Sequence, residues 1–214
     1  MVKFIIARHG YSQFNKSKQF TGQYDVNLNA IGYLQAEEVG KYVLENYKVD
    51  KIYSSDLKRA IDTAKPIAEA LKLPILTRKN LREMYLGEWE RKSFEEVKEK
   101  YPNDYNEWVT DLGFARATGG ESSKELIVRV SEEFERIAKE NEGKTVFIAT
   151  HGGAIRALIC AWLRVPLEEM KNIQLVANGS ITVIEYDNET KNAIIEKNGD
   201  SSYLTQTTGK VLLV

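Results

Sequence analysis

Short apolar runs alternate with longer amphipathic stretches through the first half of the chain. The runs Phe4-Ile5-Ile6, KIYSS (51–55) and LPILTR (73–78) are typical of strands. Between them, apolar residues recur at the three-and-four spacing of a helix with one buried face. The clearest such helix follows residue 55, and Ser55 or Asp56 is expected to cap its start. Its apolar stripe comprises Leu57, Ala60, Ile61, Ala64, Ala68 and Leu71.

The second half continues this alternation. Residues 93–112 predict short helices broken at Pro102, and residues 121–141 predict a long amphipathic helix. KTVFIAT (144–150) reads as a buried strand, GAIRALICAWL (153–163) as an apolar helix, and ITVIEY and NAIIEK as strands joined by the turn DNETK. Strands separated by helices predict an α/β protein, a three-layer α/β/α sandwich with a largely parallel central sheet. No linker interrupts the pattern, so residues 1–214 are interpreted as a single domain.

Four polar residues follow four of the predicted strands or extended segments. His9 comes directly after the first apolar run and His151 directly after KTVFIAT, and these are the chain's two histidines. Arg59 lies one turn into the helix after KIYSS, and Glu83 follows LPILTR. Ligands of open α/β sheets bind beyond the carboxyl ends of the strands. We therefore expect these four side chains to converge on one pocket.

The residue types in this set suit phosphoryl transfer. Arg8 and Arg59 offer forked, charged donors that match a phosphoryl group. A neutral imidazole is a competent nucleophile, and a second, protonated histidine would add positive charge at the transferring group. A carboxyl group such as Glu83 can protonate a leaving alcohol. Gly10 and Gly152 are expected to let the backbone approach the phosphate.

Composition narrows the range of functions. The net charge is −1, with 30 Lys plus Arg and 31 Asp plus Glu, which argues against a general nucleic-acid or membrane-surface binder. The single cysteine, Cys160, excludes an internal disulfide and a Cys-rich zinc site, and it is interpreted as a core residue. No run is long enough for a signal peptide or a bilayer span, so a cytoplasmic location is expected.

The chain resembles the histidine phosphatase superfamily, the phosphoglycerate mutase-like enzymes. The resemblance extends over nearly the whole chain and keeps the family's order of motifs. Its six segments are RHG with Asn15 following, FTGQYDVNLNAIG (20–32), SSDLKRAIDTA (54–64), LREMYLGEWE (81–90), GGES (119–122) and THGGAIRAL (150–158).

This resemblance implies a role for each candidate residue. His9 would be the phosphorylated nucleophile and Glu83 the general acid. The phosphate pocket would be formed by Arg8, Arg59 and His151. Asn15, Thr21 and Gly22 would line the substrate side. The resemblance implies neither a metal nor another cofactor, and the expected partner is a small phosphorylated metabolite.

One residue departs from the family's pattern. Tyr11 stands directly after RHG, where the family usually has Glu or Gln. A phenol cannot reproduce a carboxylate or a carboxamide, so any substrate contact from this position is expected to differ. This departure is also the one feature that favours a third hypothesis, a non-catalytic phosphate-binding protein on the same fold.

The segment between the acid and GGES bears on the choice between phosphatase and mutase. Cofactor-dependent mutases carry a longer insertion here with a paired arginine, whereas residues 84–118 contain no Arg-Arg. The segment is aromatic instead and is expected to form a partly apolar lid, with Arg91, Lys92 and Arg116 available to an anionic substrate. The aromatic residues are Trp89, Phe94, Tyr101, Tyr105, Trp108 and Phe114.

A phosphatase acting on small phosphomonoesters is therefore the favoured hypothesis, with a mutase as the alternative. Candidate substrates implied by the family include phosphoglycerates, sugar phosphates, phosphoserine and the nucleotide-loop phosphate of cobalamin synthesis. Monomer and homodimer both remain open. The apolar C-terminal stretch SSYLTQTTGKVLLV is expected to pack on the body or on a partner.

Overall fold

The central feature of the computed structural model, which describes residues 1–205, is a six-stranded sheet in the order β3-β2-β4-β1-β5-β6. The first four strands in this order run parallel, and β5 lies antiparallel to β1 and to β6. The strands are β1 Val2–Arg8, β2 Lys51–Ser54, β3 Ile75–Thr77, β4 Thr145–Thr150, β5 Ile181–Tyr186 and β6 Ala193–Asp200.

Helices cover both faces of this sheet. One face packs against α2 and α3, and the other against α6 and α7. The helices are α1 Gln13–Lys16, α2 Ala30–Asn46, α3 Lys58–Leu71, α4 Phe94–Lys100, α5 Pro102–Thr110, α6 Ser123–Glu140 and α7 Gly152–Trp162. The predicted three-layer α/β/α arrangement with a largely parallel sheet is confirmed.

Side-chain alternation along β1 explains the two cores. Phe4 and Ile6 belong to the core on the α6 and α7 side, whereas Ile5 and Ala7 belong to the core on the α2 and α3 side. All four are fully buried, as period-two alternation requires of a central strand with both faces covered. Burying each of the larger side chains contributes on the order of 1.5–3 kcal/mol. Cys160 is buried in the first of these cores, as predicted.

The helix starts show where the local predictions succeeded and failed. Ser122 caps α6 in a capping box with Glu125, and α5 begins at Pro102, so both starts agree with the sequence. The capping prediction for α3 was wrong. Its N-cap residue is Leu57, and the Lys58 amide donates to the side chain of Asp25, 2.8 Å away. A loop distant in sequence therefore supplies the cap that we expected from Ser55 or Asp56.

Within residues 1–205, no helix combines the length and the apolar character needed to cross a bilayer. The apolar end of the C-terminal stretch, for which we predicted packing, lies outside the described residues.

Candidate active site

The two histidines are brought together by the pairing of β1 with β4. These strands are parallel neighbours, with Arg8 in register with Thr150. The chain leaves both strands at the same edge of the sheet, and the His9 amide donates to the Thr150 carbonyl at 2.9 Å. The His9 and His151 ring centroids lie 5.2 Å apart. The two rings therefore lie side by side, as strand topology predicts, but only His9 lines the cavity described below, and His151 is fully buried.

The hydrogen bond and the surroundings of His9 define its protonation state. Its Nδ1 lies 2.7 Å from the Gly10 carbonyl oxygen, which can only accept, so Nδ1 carries the ring hydrogen. Burial, together with the charges of Arg59 and Arg8, lowers the pKa of His9 well below its ordinary value. The ring is neutral as a result, and the lone pair on Nε2 remains available as a nucleophile.

His151 is fully buried and is also neutral in this structure. Burial, then the charge of Arg59, lowers its pKa well below the ordinary value. Its Nε2 lies 2.9 Å from Ser55 Oγ, and its Nδ1 is buried with no hydrogen-bond partner among residues 1–205. The protonated form considered from the sequence therefore requires a negative charge beside the ring. Ser55 was missed as a site residue, although its place directly after β2 was a usable signal.

Arg8 and Arg59 supply the positive charge of the site. Both side chains have a buried Nε without a hydrogen-bond partner among residues 1–205. Burial lowers the pKa of each guanidinium to about 10, so both stay charged at neutral pH. Arg8 Nη1 donates to the Val176 carbonyl at 2.5 Å, while Arg59 donates to Gly22 O at 2.7 Å and Tyr24 O at 2.9 Å. Each arginine is thus held by backbone carbonyls with donor capacity to spare.

Glu83 is held against the start of α7. Its Oε2 accepts a hydrogen bond from the Gly153 amide at 3.0 Å, and its Oε1 accepts one from the Met84 amide at 2.9 Å. A Cβ at Gly153 would lie 2.3 Å from Glu83 Oε1, so a side chain at position 153 would displace the carboxylate. Sequence reasoning assigned no role to Gly153. The second glycine of THGG is the one that faces Glu83.

Three further glycines shape the site in different ways. A Cβ at Gly152 would lie 3.2 Å from Arg8 Cζ, so this glycine leaves room for the arginine. Gly22 has a φ of +52°, which only glycine adopts easily, in the loop that Arg59 holds. Gly10 differs from the expectation, because a Cβ there would lie 2.4 Å from the Gly32 carbonyl oxygen. Its small size serves packing against the start of α2.

A cavity of about 700 Å³ opens onto these residues. Arg8, His9, Arg59 and Glu83 line it, as do the three predicted substrate-side residues Asn15, Thr21 and Gly22. The Oδ1 atom of Asn15 also accepts from the Ser12 amide at 3.0 Å in the capping box of α1, so Asn15 has a turn role as well.

Tyr11 lines the cavity too, and its backbone is fixed by the start of α2. Its amide donates to Gln35 Oε1 at 2.7 Å, and its carbonyl accepts from the Asn29 amide at 3.0 Å. The residue that departs from the family's pattern therefore forms part of the cavity wall.

One part of the cavity wall is an apolar cluster, in which Phe20 packs against Phe94 and Trp108. The wall also includes the apolar residues Leu112 and Met170. Of the six aromatic residues expected to form a lid, Phe94 and Trp108 line the cavity, Trp89 is buried behind them and Phe114 is exposed. The lid prediction therefore holds for only part of the set.

The cations of segment 84–118, which we expected to be available to an anionic substrate, do not line the cavity. Arg116 pairs with Glu125 at 2.7 Å, Arg91 stacks over Tyr24, and neither they nor Lys92 line the cavity. Arg156 of α7 lines the cavity instead. It belongs to the THGGAIRAL segment, and the sequence predicted no role for it.

Comparisons with known proteins agree with the geometry. A sequence profile of the histidine phosphatase superfamily (branch 1) matches residues 4–198. Phosphoserine phosphatase 1 of Hydrogenobacter thermophilus is 34% identical over 198 residues, 92% of this chain and 92% of that protein. Phosphoglycerate mutase-like protein 4 of Arabidopsis thaliana is 32% identical over 209 residues, 96% of this chain and 88% of that protein.

The solved structure of Bacillus stearothermophilus YhfR superposes with a TM-score of 0.89 at 27% identity, covering 95% of this chain and 100% of that one. The similarity to a named phosphatase over nearly the full length supports phosphatase activity for this chain.

Proposed function

The chain belongs to the histidine phosphatase superfamily, and we propose that it hydrolyses small phosphomonoesters, without a metal, through a phosphohistidine on His9. The single observation that carries this proposal is the state of His9. Its ring is neutral, with Nδ1 bound to the Gly10 carbonyl, and it lines a cavity that also contains two buried guanidinium groups. A neutral nucleophile beside fixed positive charge suits attack on a phosphoryl dianion.

In the first step, Nε2 of His9 attacks phosphorus and the bond from phosphorus to the ester oxygen breaks. Arg8 and Arg59 bind the phosphoryl oxygens, and Glu83 gives its proton to the leaving oxygen, so the alcohol departs neutral. The dianion brings negative charge next to His151, which opposes the effect of Arg59 and favours protonation of this ring. His151 then donates a hydrogen bond to the phosphoryl group.

In the second step, water attacks the phosphorus of phosphohistidine. Glu83, now a carboxylate, takes a proton from the water, and the bond between phosphorus and Nε2 breaks. Inorganic phosphate leaves, His151 gives back to solvent the proton that it took up with the dianion, and His9 and Glu83 return to their starting protonation states. The charge needed at the phosphoryl group comes from side chains, which is why the proposed reaction requires no metal.

Two observations favour water over a second sugar acid as the acceptor. The segment 84–118 contributes apolar rather than cationic residues to the cavity wall, and its Arg116 is engaged with Glu125. A mutase must keep a bisphosphorylated intermediate bound, which needs additional cations, and segment 84–118 supplies none of them to the cavity wall. The expected partner is accordingly a small phosphorylated metabolite that is released after one transfer.

Phosphorus NMR tests this proposal directly. The purified protein is incubated with 3-phosphoglycerate, a trace of bisphosphoglycerate and excess EDTA. We expect free phosphate to accumulate, and accumulation of 2-phosphoglycerate would show a mutase instead. If neither forms, a panel of other phosphomonoesters is examined, and turnover of none of them would contradict the phosphatase proposal.

The same experiment on His9→Ala tests the intermediate. Loss of the nucleophile is expected to reduce turnover by about 10³-fold or more, because an activated nucleophile carries much of the catalysis. Activity that survives this substitution would rule out the phosphohistidine.

A further inference from the structure

Arg156 differs from the other two arginines that line the cavity. It lies in the second turn of α7 and is largely buried, with its Nε shielded from solvent. Arg8 and Arg59 donate to backbone carbonyls, whereas Arg156 forms no hydrogen bond or ion pair with any of residues 1–205. Leaving a largely buried cation unpaired is costly. The arrangement suits a protein that pairs Arg156 with a bound anion.

The position of Arg156 indicates which part of a ligand it would meet. Arg156 lies three residues after Gly153 in α7, and residues at this spacing lie on the same side of a helix. The amide of Gly153 donates to Glu83. The pKa of Arg156 is lowered by burial and raised by the charge of Glu83, and Arg156 in turn affects Arg8, so these two are its charged neighbours. Arg156 therefore lies beside the acid, where the leaving alcohol would be.

We propose that Arg156 binds a carboxylate carried by the alcohol part of the substrate and so selects phosphate esters of short hydroxy acids. This inference rests on the proposed phosphatase function. A guanidinium presents a fork that matches the two oxygens of a carboxylate. One unpaired arginine balances the charge of a monoanionic carboxylate better than that of a second phosphate dianion. A short spacer between the phosphate and the carboxylate suffices, because Arg8, which would bind the phosphate, and Arg156, which would bind the carboxylate, are electrostatic neighbours.

A matched pair of substrates isolates this contact. O-phosphoserine and O-phosphoethanolamine share the aminoethyl phosphate framework and differ in the carboxylate. We expect Arg156→Gln to lower kcat/KM for phosphoserine about tenfold or more, the effect of losing a hydrogen bond between charged groups. Phosphoethanolamine turnover is expected to change less than about twofold, and Arg156→Lys is expected to restore part of the loss on phosphoserine.

The control variant is Arg164→Gln, which removes an exposed arginine just beyond the end of α7, outside the cavity wall. It should leave both substrates unaffected. An equal loss on both substrates with Arg156→Gln would show that the residue acts on Glu83 or the phosphoryl site and would overturn the proposal. Unchanged kinetics on both would overturn it as well.

Calorimetry on the His9→Ala background separates this inference from the proposed function. If the intact enzyme hydrolyses neither ester, the phosphatase proposal fails for these substrates, but binding still tests Arg156. We expect phosphoserine to bind His9→Ala about tenfold more tightly than phosphoethanolamine does, and Arg156→Gln to remove the difference. Equal affinities before the second substitution would overturn the carboxylate site.

Discussion

The two ends of the cavity are built in different ways. The phosphoryl end is made of residues at the ends of strands and in the first turn of α3, and Arg59, His9 and His151 are almost entirely buried there. The apolar end is formed by side chains from α4, α5 and the segments after α1, α5 and α7. Under the proposed function, sheet topology would fix the group that reacts, and the surrounding helices would set which alcohols fit. Variation of substrate among relatives is expected to concentrate at the second end.

Replacing Glu83 should produce the largest effect that distinguishes the two ends. Glu83→Gln keeps the size of the side chain and removes its proton. Esters with poor leaving groups, such as phosphoserine, should lose about 10²–10⁴-fold in kcat/KM, the usual contribution of general acid catalysis. p-Nitrophenyl phosphate, whose leaving group needs no proton, should lose far less. The measurement is kcat/KM for a series of esters plotted against the pKa of the leaving alcohol.

A matched comparison for this series is Glu90→Gln. Glu90 accepts from the Gln23 amide at 2.7 Å and supports the loop around Gly22, and it is not part of the cavity wall. We expect its loss to affect all esters by a similar factor. If Glu83→Gln gives the same flat dependence on the leaving group, Glu83 is not the acid.

Acidification tests the burial of the phosphoryl end. His9 and His151 have pKa values lowered by burial, so the folded protein keeps both neutral while the unfolded chain takes up protons below about pH 6.5. Stability is therefore fully present above the unfolded pKa and falls as the pH drops. We expect the free energy of unfolding to decrease by about 1 kcal/mol per histidine between about pH 6.5 and 5.5, measured by urea denaturation.

The chain contains only these two histidines, so a variant with both replaced by glutamine removes all histidine titration. Its absolute stability will differ, and the pH dependence is the quantity compared. We expect the dependence in this window to flatten. A double variant that keeps the original slope would assign the effect to carboxyl groups and would show that the histidines are not held neutral.

The phosphoryl end was largely predictable because its signals are local. An apolar run closed by His-Gly occurs twice, and the carboxyl ends of parallel strands meet at one edge of a sheet. The pairing of β1 with β4 then placed His9 and His151 side by side without further information. Arg59 could be placed for a similar reason, since it lies in the first turn of the helix that follows β2.

The other end depended on contacts between residues far apart in sequence. The sequence around Arg156 does not show that this residue lacks a hydrogen-bond partner. That depends on which polar groups surround it in the folded chain. At the phosphoryl end, two contacts also depended on tertiary structure. Asp25 caps α3 from another loop, and the contact of Ser55 with His151 joins the ends of β2 and β4, although the place of Ser55 directly after β2 was a usable signal. Periodicity reports which face of a helix is buried, but it does not report what lies opposite a polar side chain.

Arg129 allows the smallest and most specific test of how the acid is held. Its Nη1 donates to Asn80 O at 2.8 Å and its Nη2 to Glu83 O at 3.2 Å, while Glu121 accepts from its Nε at 2.8 Å. We infer that Arg129 is a positioning residue that fixes the backbone carrying Glu83. Arg129→Gln is therefore expected to lower kcat about three- to tenfold, the cost of one or two lost hydrogen bonds to a charged group.

The readout that separates positioning from general destabilisation is the leaving group. If Arg129 acts through Glu83, the loss should grow as the leaving alcohol becomes poorer and should nearly vanish with p-nitrophenyl phosphate. Lys139→Gln is the control, since Lys139 is an exposed residue near the end of the same helix and forms no ion pair or side-chain hydrogen bond with residues 1–205. Exposed charges of this kind contribute about 0–1 kcal/mol, so this variant should match the intact enzyme on every ester. A uniform loss with Arg129→Gln would mean that the residue stabilises the fold without aligning the acid.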